Sequence, residues 1–207
     1  MKPVLVLYAT HEGQTQRIAN HLGIRLRENG LSCEVINVKY PPADFSLKNY
    51  GSAILAASVH TGKHEREMVR FVLKNRQMLE QMRTAFLSVS LSQAGVQDHN
   101  ATSERREQAA ADVSRMITHF CAKTQWRPTR AEPVAGALTY SKYNPFLRFI
   151  MKGIARQAGA STDTSRDQEF TDWAALDRFL SDFVADTHKT EETKTEVLPS
   201  KCQLDGR

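Results

Sequence analysis

The 207-residue chain holds only three cysteines, ten glycines and seven prolines. Cys33, Cys121 and Cys202 are scattered and follow no metal-ligand spacing. That excludes a disulfide scaffold and predicts free thiols in a reducing, cytoplasmic compartment. So little Gly and Pro excludes collagen-like and low-complexity chains. The longest uncharged apolar runs, residues 4–9 and 53–59, fall far short of the ~18 residues of a spanning helix. Only a short apolar run follows Lys2, so no export signal is expected. Two phosphate-binding signatures are also missing. Without GxGxxG a dinucleotide Rossmann site is disfavoured, and without GxxxxGK followed by Ser or Thr so is a P-loop NTPase. The histidines are scattered, and no metal site is expected.

What is present reads as one globular domain. Hydrophobic residues make up 41% and charged residues 25% of the chain, enough to bury a core without staples. The net charge is +5, from 28 basic and 23 acidic residues. Its distribution matters more than its sum. Residues 141–157 contain Lys142, Arg148, Lys152 and Arg156 and no acid, so this one segment carries most of the excess. Such a segment is either a solvated face or a surface for anionic lipid or an anionic substrate. The remainder is nearly neutral and lacks RRM, KH or zinc-finger patterns, so no nucleic-acid partner is expected.

Short apolar runs alternate with amphipathic stretches. Residues 4–9 suit a central parallel strand covered on both faces. A helix follows with Ile18, Ala19, Leu22 and Leu26 on one face, stopping near Asn29-Gly30. Strands are expected at 33–38, 52–57, 85–89 and 133–140, and helices at 65–82 and 103–123, with a polar loop over 90–102. This order predicts an α/β fold, an open five-stranded parallel sheet with helices on both faces. Beyond the fifth strand, Phe146, Phe149, Ile150 and Ile154 share one helical stripe while Arg148, Lys152 and Arg156 share another. That piece, about 141–170, reads as a helical insertion near the fifth strand. A last helix is expected over 172–186, completing a domain of residues 1–186. A disordered tail is expected over 187–207.

In open α/β sheets ligands bind at the carboxyl ends of strands. The first such turn is Thr10-His11-Glu12-Gly13-Gln14-Thr15, which leads straight into a helix. The free N–H groups and dipole of that helix, with the threonine hydroxyls, suit a phosphate dianion. The alternative is an ordinary capped turn. Two further strand ends, Ser58-Val59-His60-Thr61-Gly62 and Ser90-Leu91-Ser92, could flank a planar ring, the geometry an FMN needs.

The turn resembles the phosphate loop of the flavodoxin superfamily, Thr/Ser-x-x-Gly-x-Thr. Other segments resemble one branch, the menaquinone-dependent protoporphyrinogen oxidases. They are Ser58 to Gly62 with His64, Gln125-Trp126-Arg127-Pro128, Gly136-Ala137-Leu138 with Tyr140 and Tyr143, Thr162-Asp163-Thr164, and Thr171-Asp172-Trp173. The resemblance spans about residues 1–185 and implies a flavodoxin-like fold. It further implies FMN-dependent oxidation of protoporphyrinogen IX to protoporphyrin IX in haem biosynthesis, with electrons passed to menaquinone or ubiquinone. Such a flavoprotein would be cytoplasmic and peripheral on the inner membrane.

By position, Thr10, His11, Glu12, Gly13, Gln14 and Thr15 would hold the FMN phosphate, and Ser58, Val59, His60, Thr61, Gly62, Ser90, Leu91 and Ser92 would flank the ring. His60 stands where an aromatic residue often covers the flavin. Lys142, Arg148, Lys152 and Arg156 would meet substrate propionates or an anionic inner-membrane surface. No catalytic residue is assigned. His60 and His64 could move protons, though a loop histidine is more often simply solvated, and Trp126 is more often core than a substrate platform. The alternatives are an NAD(P)H–quinone reductase and an electron-carrier flavodoxin. The basic net charge argues against a carrier.

Overall fold

The computed structural model describes residues 2–138 and 168–196. Five strands form a parallel sheet: β1 Val4–Ala9, β2 Cys33–Asn37, β3 Ser52–His60, β5 Arg83–Ser90 and β6 Arg130–Ala135. Their spatial order is β2-β1-β3-β5-β6. The chain leaves β1 toward one side to make β2 and returns to the other side for β3. The switch point therefore lies at the carboxyl ends of β1 and β3. β4, Lys63–His64, is a short antiparallel return on β3.

The helices are α1 Gln14–Glu28, α2 Arg66–Glu80, α3 Leu91–Gln97, α4 Ser103–Thr124 and α5 Trp173–Glu196. Both faces of β1 are covered, which is why the strand is apolar throughout. Val4, Val6 and Tyr8 pack with α1 and with Leu176, Phe179, Leu180 and Phe183 of α5. Leu5, Leu7 and Ala9 pack with Met68, Val69 and Val72 of α2, and with Phe120 and Trp126. Asp177 of α5 accepts hydrogen bonds from Arg25 and lies 2.8 Å from His21, tying the two helices together. Gly23 lets α1 settle directly on β2, because a Cβ there would overlap the Val35 methyl.

Several boundaries differ from expectation for physical reasons. The polar stretch read as a loop over 90–102 contains α3. Its cap is Ser90, whose Oγ accepts from the Gln93 amide at 3.3 Å, and Ala94 and Gly95 are buried. The fifth strand is Arg130–Ala135 rather than 133–140. An edge strand needs no continuous apolar run, so periodicity alone missed its charged start. β3 runs on to His60, and α5 runs on to Glu196, past the end expected at 186. No Gly or Pro interrupts α5, and its final turns are rich in Glu and Lys. Residues 197–207 of the expected tail lie outside the described residues, as do residues 139–167 of the expected insertion.

After Gly136 the chain forms β7, Ala137–Leu138, which pairs antiparallel with β8, Gln168–Glu169. The chain on either side of residues 139–167 is thus held together as a paired stem. That stem is pinned to the sheet by the Gly136 amide donating to the Ser90 carbonyl (3.0 Å) and the Phe170 amide donating to the Gly136 carbonyl (3.1 Å).

Candidate functional site

The turn after β1 is built for close approach. Gly13 adopts φ 104°, a left-handed conformation that suits glycine, and its amide donates to Thr10 Oγ1 at 2.9 Å. Helix α1 then starts without a side-chain cap. The amides of its first turn, Gln14, Thr15 and Gln16, have no intrahelical acceptor. Thr15 is 1% exposed, and its Oγ1 has no hydrogen-bond partner among the described residues. A buried hydroxyl left this way costs about 1–3 kcal/mol unless a ligand satisfies it.

The second loop is a tight hairpin between β3 and β4. Thr61 and Gly62 both take positive φ, 47° and 73°, as a two-residue type I′ turn requires. The turn lifts the exposed His60 to the cleft rim, where its ring stacks on His11 at 4.7 Å and 26°. Ser58 Oγ donates to Glu65 Oε1 at 3.1 Å, fixing the base of the loop.

Together these loops and the end of β5 enclose an open cleft of about 480 Å³. Thr10, His11, Glu12, Gln14 and Thr15 line it from the first turn, Ser58, Val59 and His60 from the second loop, and Ser90 and Leu91 from the third. The structure adds Val89, Gly136 and Ala137, which were not among the expected site residues. Gly136 and Ala137 had a sequence signal, a glycine following a strand. Four expected residues do not line the cleft. Gly13 shapes the turn, Thr61 and Gly62 form the hairpin tip, and Ser92 sits within α3. Lys142, Arg148, Lys152 and Arg156 lie outside the described residues.

Two side chains have roles different from those expected. Gln14, which lines the cleft, also bridges to the chain beyond β8: its Nε2 donates to Glu169 Oε1 and to Thr171 Oγ1, both at 2.8 Å. His64 is core. It is 6% exposed, packs on Phe86 and Phe120, and sits 2.9 Å from Ser88 Oγ. Burial, aided by nearby His119, pushes its pKa down to about 4. Trp126 is likewise fully buried against Phe86 and Phe120 and is no substrate platform. Asp172 caps α5, its Oδ1 accepting from the Ala175 amide at 2.9 Å. The described residues contain no cluster of three or more His, Cys, Asp or Glu able to hold a metal.

The family described as "Flavodoxin domain" matches residues 5–165. The chain is also 31% identical over 185 residues to a protein of Escherichia coli strain K12 named protoporphyrinogen IX dehydrogenase (quinone), covering 89% of this chain and 96% of that one. The chain belongs to the flavodoxin-domain family, in the protoporphyrinogen IX dehydrogenase branch. A Leishmania major protein of the same name is 30% identical over 182 residues, covering 87% of this chain and 74% of its own length. Among solved structures, a Streptococcus pneumonia TIGR4 flavodoxin matches with TM-score 0.47 and 13% identity over 88% of this chain and 98% of its own. In this flavodoxin-domain protein the turn after β1 offers groups of the kind that would suit a flavin phosphate: a left-handed glycine, first-turn amides without an intrahelical acceptor, and a buried hydroxyl without a partner among the described residues.

Proposed function

We propose that this protein is a quinone-dependent protoporphyrinogen IX dehydrogenase that works with FMN seated in the cleft. The observation that carries the cofactor reading is Thr15 Oγ1, buried and unsatisfied beneath the Gly13 turn at the amino end of α1. A phosphate accepts hydrogen bonds from that hydroxyl and from the amides around it. Substrate and acceptor come from the relatives, whose names state both.

When bound, FMN supplies a two-electron acceptor for hydride chemistry. The chain's own part is to bind and orient. The first turn would hold the phosphate end, and His60 and the β5–α3 junction would flank the ring. His60 is exposed at the rim. Protoporphyrinogen gives up its electrons in three two-electron steps, and each step turns one quinone into a hydroquinone. We take menaquinone as the physiological acceptor and haem biosynthesis as the setting. The basic stripe Lys142, Arg148, Lys152 and Arg156 is assigned to an anionic inner-membrane surface, at about 1 kcal/mol per residue. No described helix is long and apolar enough to cross a membrane.

The test is a coupled assay. Purified protein is expected to be yellow, to release FMN rather than FAD on denaturation, and to convert protoporphyrinogen to fluorescent protoporphyrin faster than autoxidation when a menaquinone analogue is present. Rapid NAD(P)H oxidation without porphyrinogen turnover would replace this reading with a quinone reductase. Loss of vesicle binding on charge reversal at Arg148 and Lys152, with FMN content unchanged, supports the membrane assignment. Unchanged vesicle binding removes it.

A further inference from the structure

Among the described residues that line the cleft, only His11 and His60 can carry positive charge. Both are exposed. Thr15, on which the phosphate reading rests, is 1% exposed. The groups suited to a cofactor phosphate are therefore buried, while the imidazoles stand where a molecule arriving from solvent first meets the cleft. Their rings stack at 4.7 Å and 26° although they come from different loops. Each loop is shaped by left-handed backbone, at Gly13 in one and at Thr61 and Gly62 in the other. The pair is thus positioned from two sides.

Imidazole N–H groups lie in the plane of the ring. A face-on stack does not use them, so it leaves two rings side by side with donors at their edges. One carboxylate has two oxygens and can accept from both rings, and such charge-assisted bonds are the stronger kind. Two protonated rings at this separation repel each other, and an anion beside them relieves that repulsion. The rest of the described lining is hydroxyl, amide or aliphatic, apart from the half-buried Glu12, whose charge opposes an anion. The ring pair is where an incoming anion is received. Protoporphyrinogen brings two propionates, which keep their charge through the reaction because the electrons leave from the macrocycle.

We propose that His11 and His60 form the carboxylate-binding site for the substrate, receiving a propionate and so orienting the macrocycle at the cleft mouth. The inference deepens the porphyrinogen reading above and rests on it. His60 then serves two molecules, with its face toward the flavin position and its edge toward the propionate.

Porphyrin binding to the FMN-saturated full chain tests it. The probes are protoporphyrin IX, which retains both carboxylates, and its dimethyl ester, which has the same ring and no charge, each in neutral detergent. Fluorescence titration of the wild type is expected to show clear preference for the dicarboxylate. The double variant His11→Phe with His60→Phe keeps two stacked aromatic faces and removes every N–H donor. It is expected to bind the dicarboxylate roughly tenfold more weakly and the ester as the wild type does. His60→Arg, which restores a charged donor, should keep the preference. If the double variant fails to fold, the two single Phe variants decide, each expected to lose roughly threefold for the dicarboxylate alone. A preference unchanged in the variants overturns the assignment, and so does equal weakening of both porphyrins or equal binding of both by the wild type. Loss of FMN affinity without loss of riboflavin affinity, with porphyrin preference intact, would give the pair to the cofactor phosphate and overturn it too. A wild type that binds no FMN, or neither porphyrin, is a separate result that removes the proposed function and this inference together.

Discussion

The imidazole rings of His11 and His60 stack face to face, 4.7 Å apart and 26° from parallel, across the mouth of the cleft. One belongs to the turn after β1 and the other to the hairpin after β3, so the contact joins the proposed phosphate loop to the proposed ring loop. Removing the His60 ring is expected to weaken FMN binding, since aromatic pairs contribute about 0.5–1.5 kcal/mol beyond their burial. His60→Ala should therefore raise the Kd by roughly threefold to tenfold. His60→Trp, with more surface to stack, should lower it. Flavin fluorescence quenching measures both, and an unchanged Kd in His60→Ala would remove His60 from the ring site.

Thr15 offers a sharper test because the sign differs between stability and binding. Thr15→Val deletes a buried hydroxyl that has no partner among the described residues, so the ligand-free protein should be as stable as the wild type or more so. FMN affinity should fall by roughly tenfold, while riboflavin, which has no phosphate, should bind the variant and the wild type alike. Equal losses for both flavins would place the phosphate elsewhere.

Thr61 is a β-branched residue held at φ 47° in an exposed two-residue turn. Asn-Gly is the favoured pair for such a turn. Thr61→Asn is expected to raise unfolding free energy by about 1 kcal/mol through relief of backbone strain. Because Thr61 does not line the cleft, FMN affinity should not change. Denaturant melts read the first effect and fluorescence titration the second.

The buried His64 makes stability depend on pH. Its folded pKa is about 4 against an ordinary 6.5. Between those values the unfolded chain takes up a proton that the folded chain refuses, so stability falls as pH drops from 6.5 to 4. The loss attributable to this group is roughly 3 kcal/mol. The double variant His64→Phe with Ser88→Ala keeps the ring contacts and removes the hydroxyl's need for a partner. Its stability should fall less than that of the wild type over the same window in urea melts, and equal slopes would contradict the assignment.

Cys33 is buried, and desolvation pushes its thiol up to about 11. It should resist a thiol reagent at pH 8 until the protein unfolds. Labelling followed by peptide mapping reads this directly, and modification of Cys33 in the native protein would show that β2 opens readily.

The sheet and most of its helices were legible because central strands and amphipathic helices carry strong periodicities. The run from Val4 to Ala9 is apolar because both of its faces are covered, and Ile18, Ala19, Leu22 and Leu26 are all buried as their spacing predicts. Elements stabilised by local hydrogen bonding rather than apolar periodicity were harder to read. Helix α3 announces itself only through the Ser90 and Gln93 spacing of a capping box. Strand β6 begins on Arg130 because an edge tolerates charge. The turn after β1 could be read from residue types, since a left-handed Gly13 whose amide donates to the Thr10 hydroxyl needs those residues at that spacing. The bridge made by Gln14 could not, because its partners Glu169 and Thr171 lie 155 and 157 residues away in sequence. His64 shows the same limit, since only the packing of Phe86 and Phe120 reveals that it belongs to the interior.

The bare backbone at Gly23, flush against Val35, sets the pitch of a lever. Any side chain there would wedge α1 away from its outer strand and swing the helix's opposite end, where Gly13 and Thr15 sit, out of line with the neighbouring loops. Gly23→Ala would thus impair cofactor retention from more than two helical turns away while altering no atom that meets a ligand.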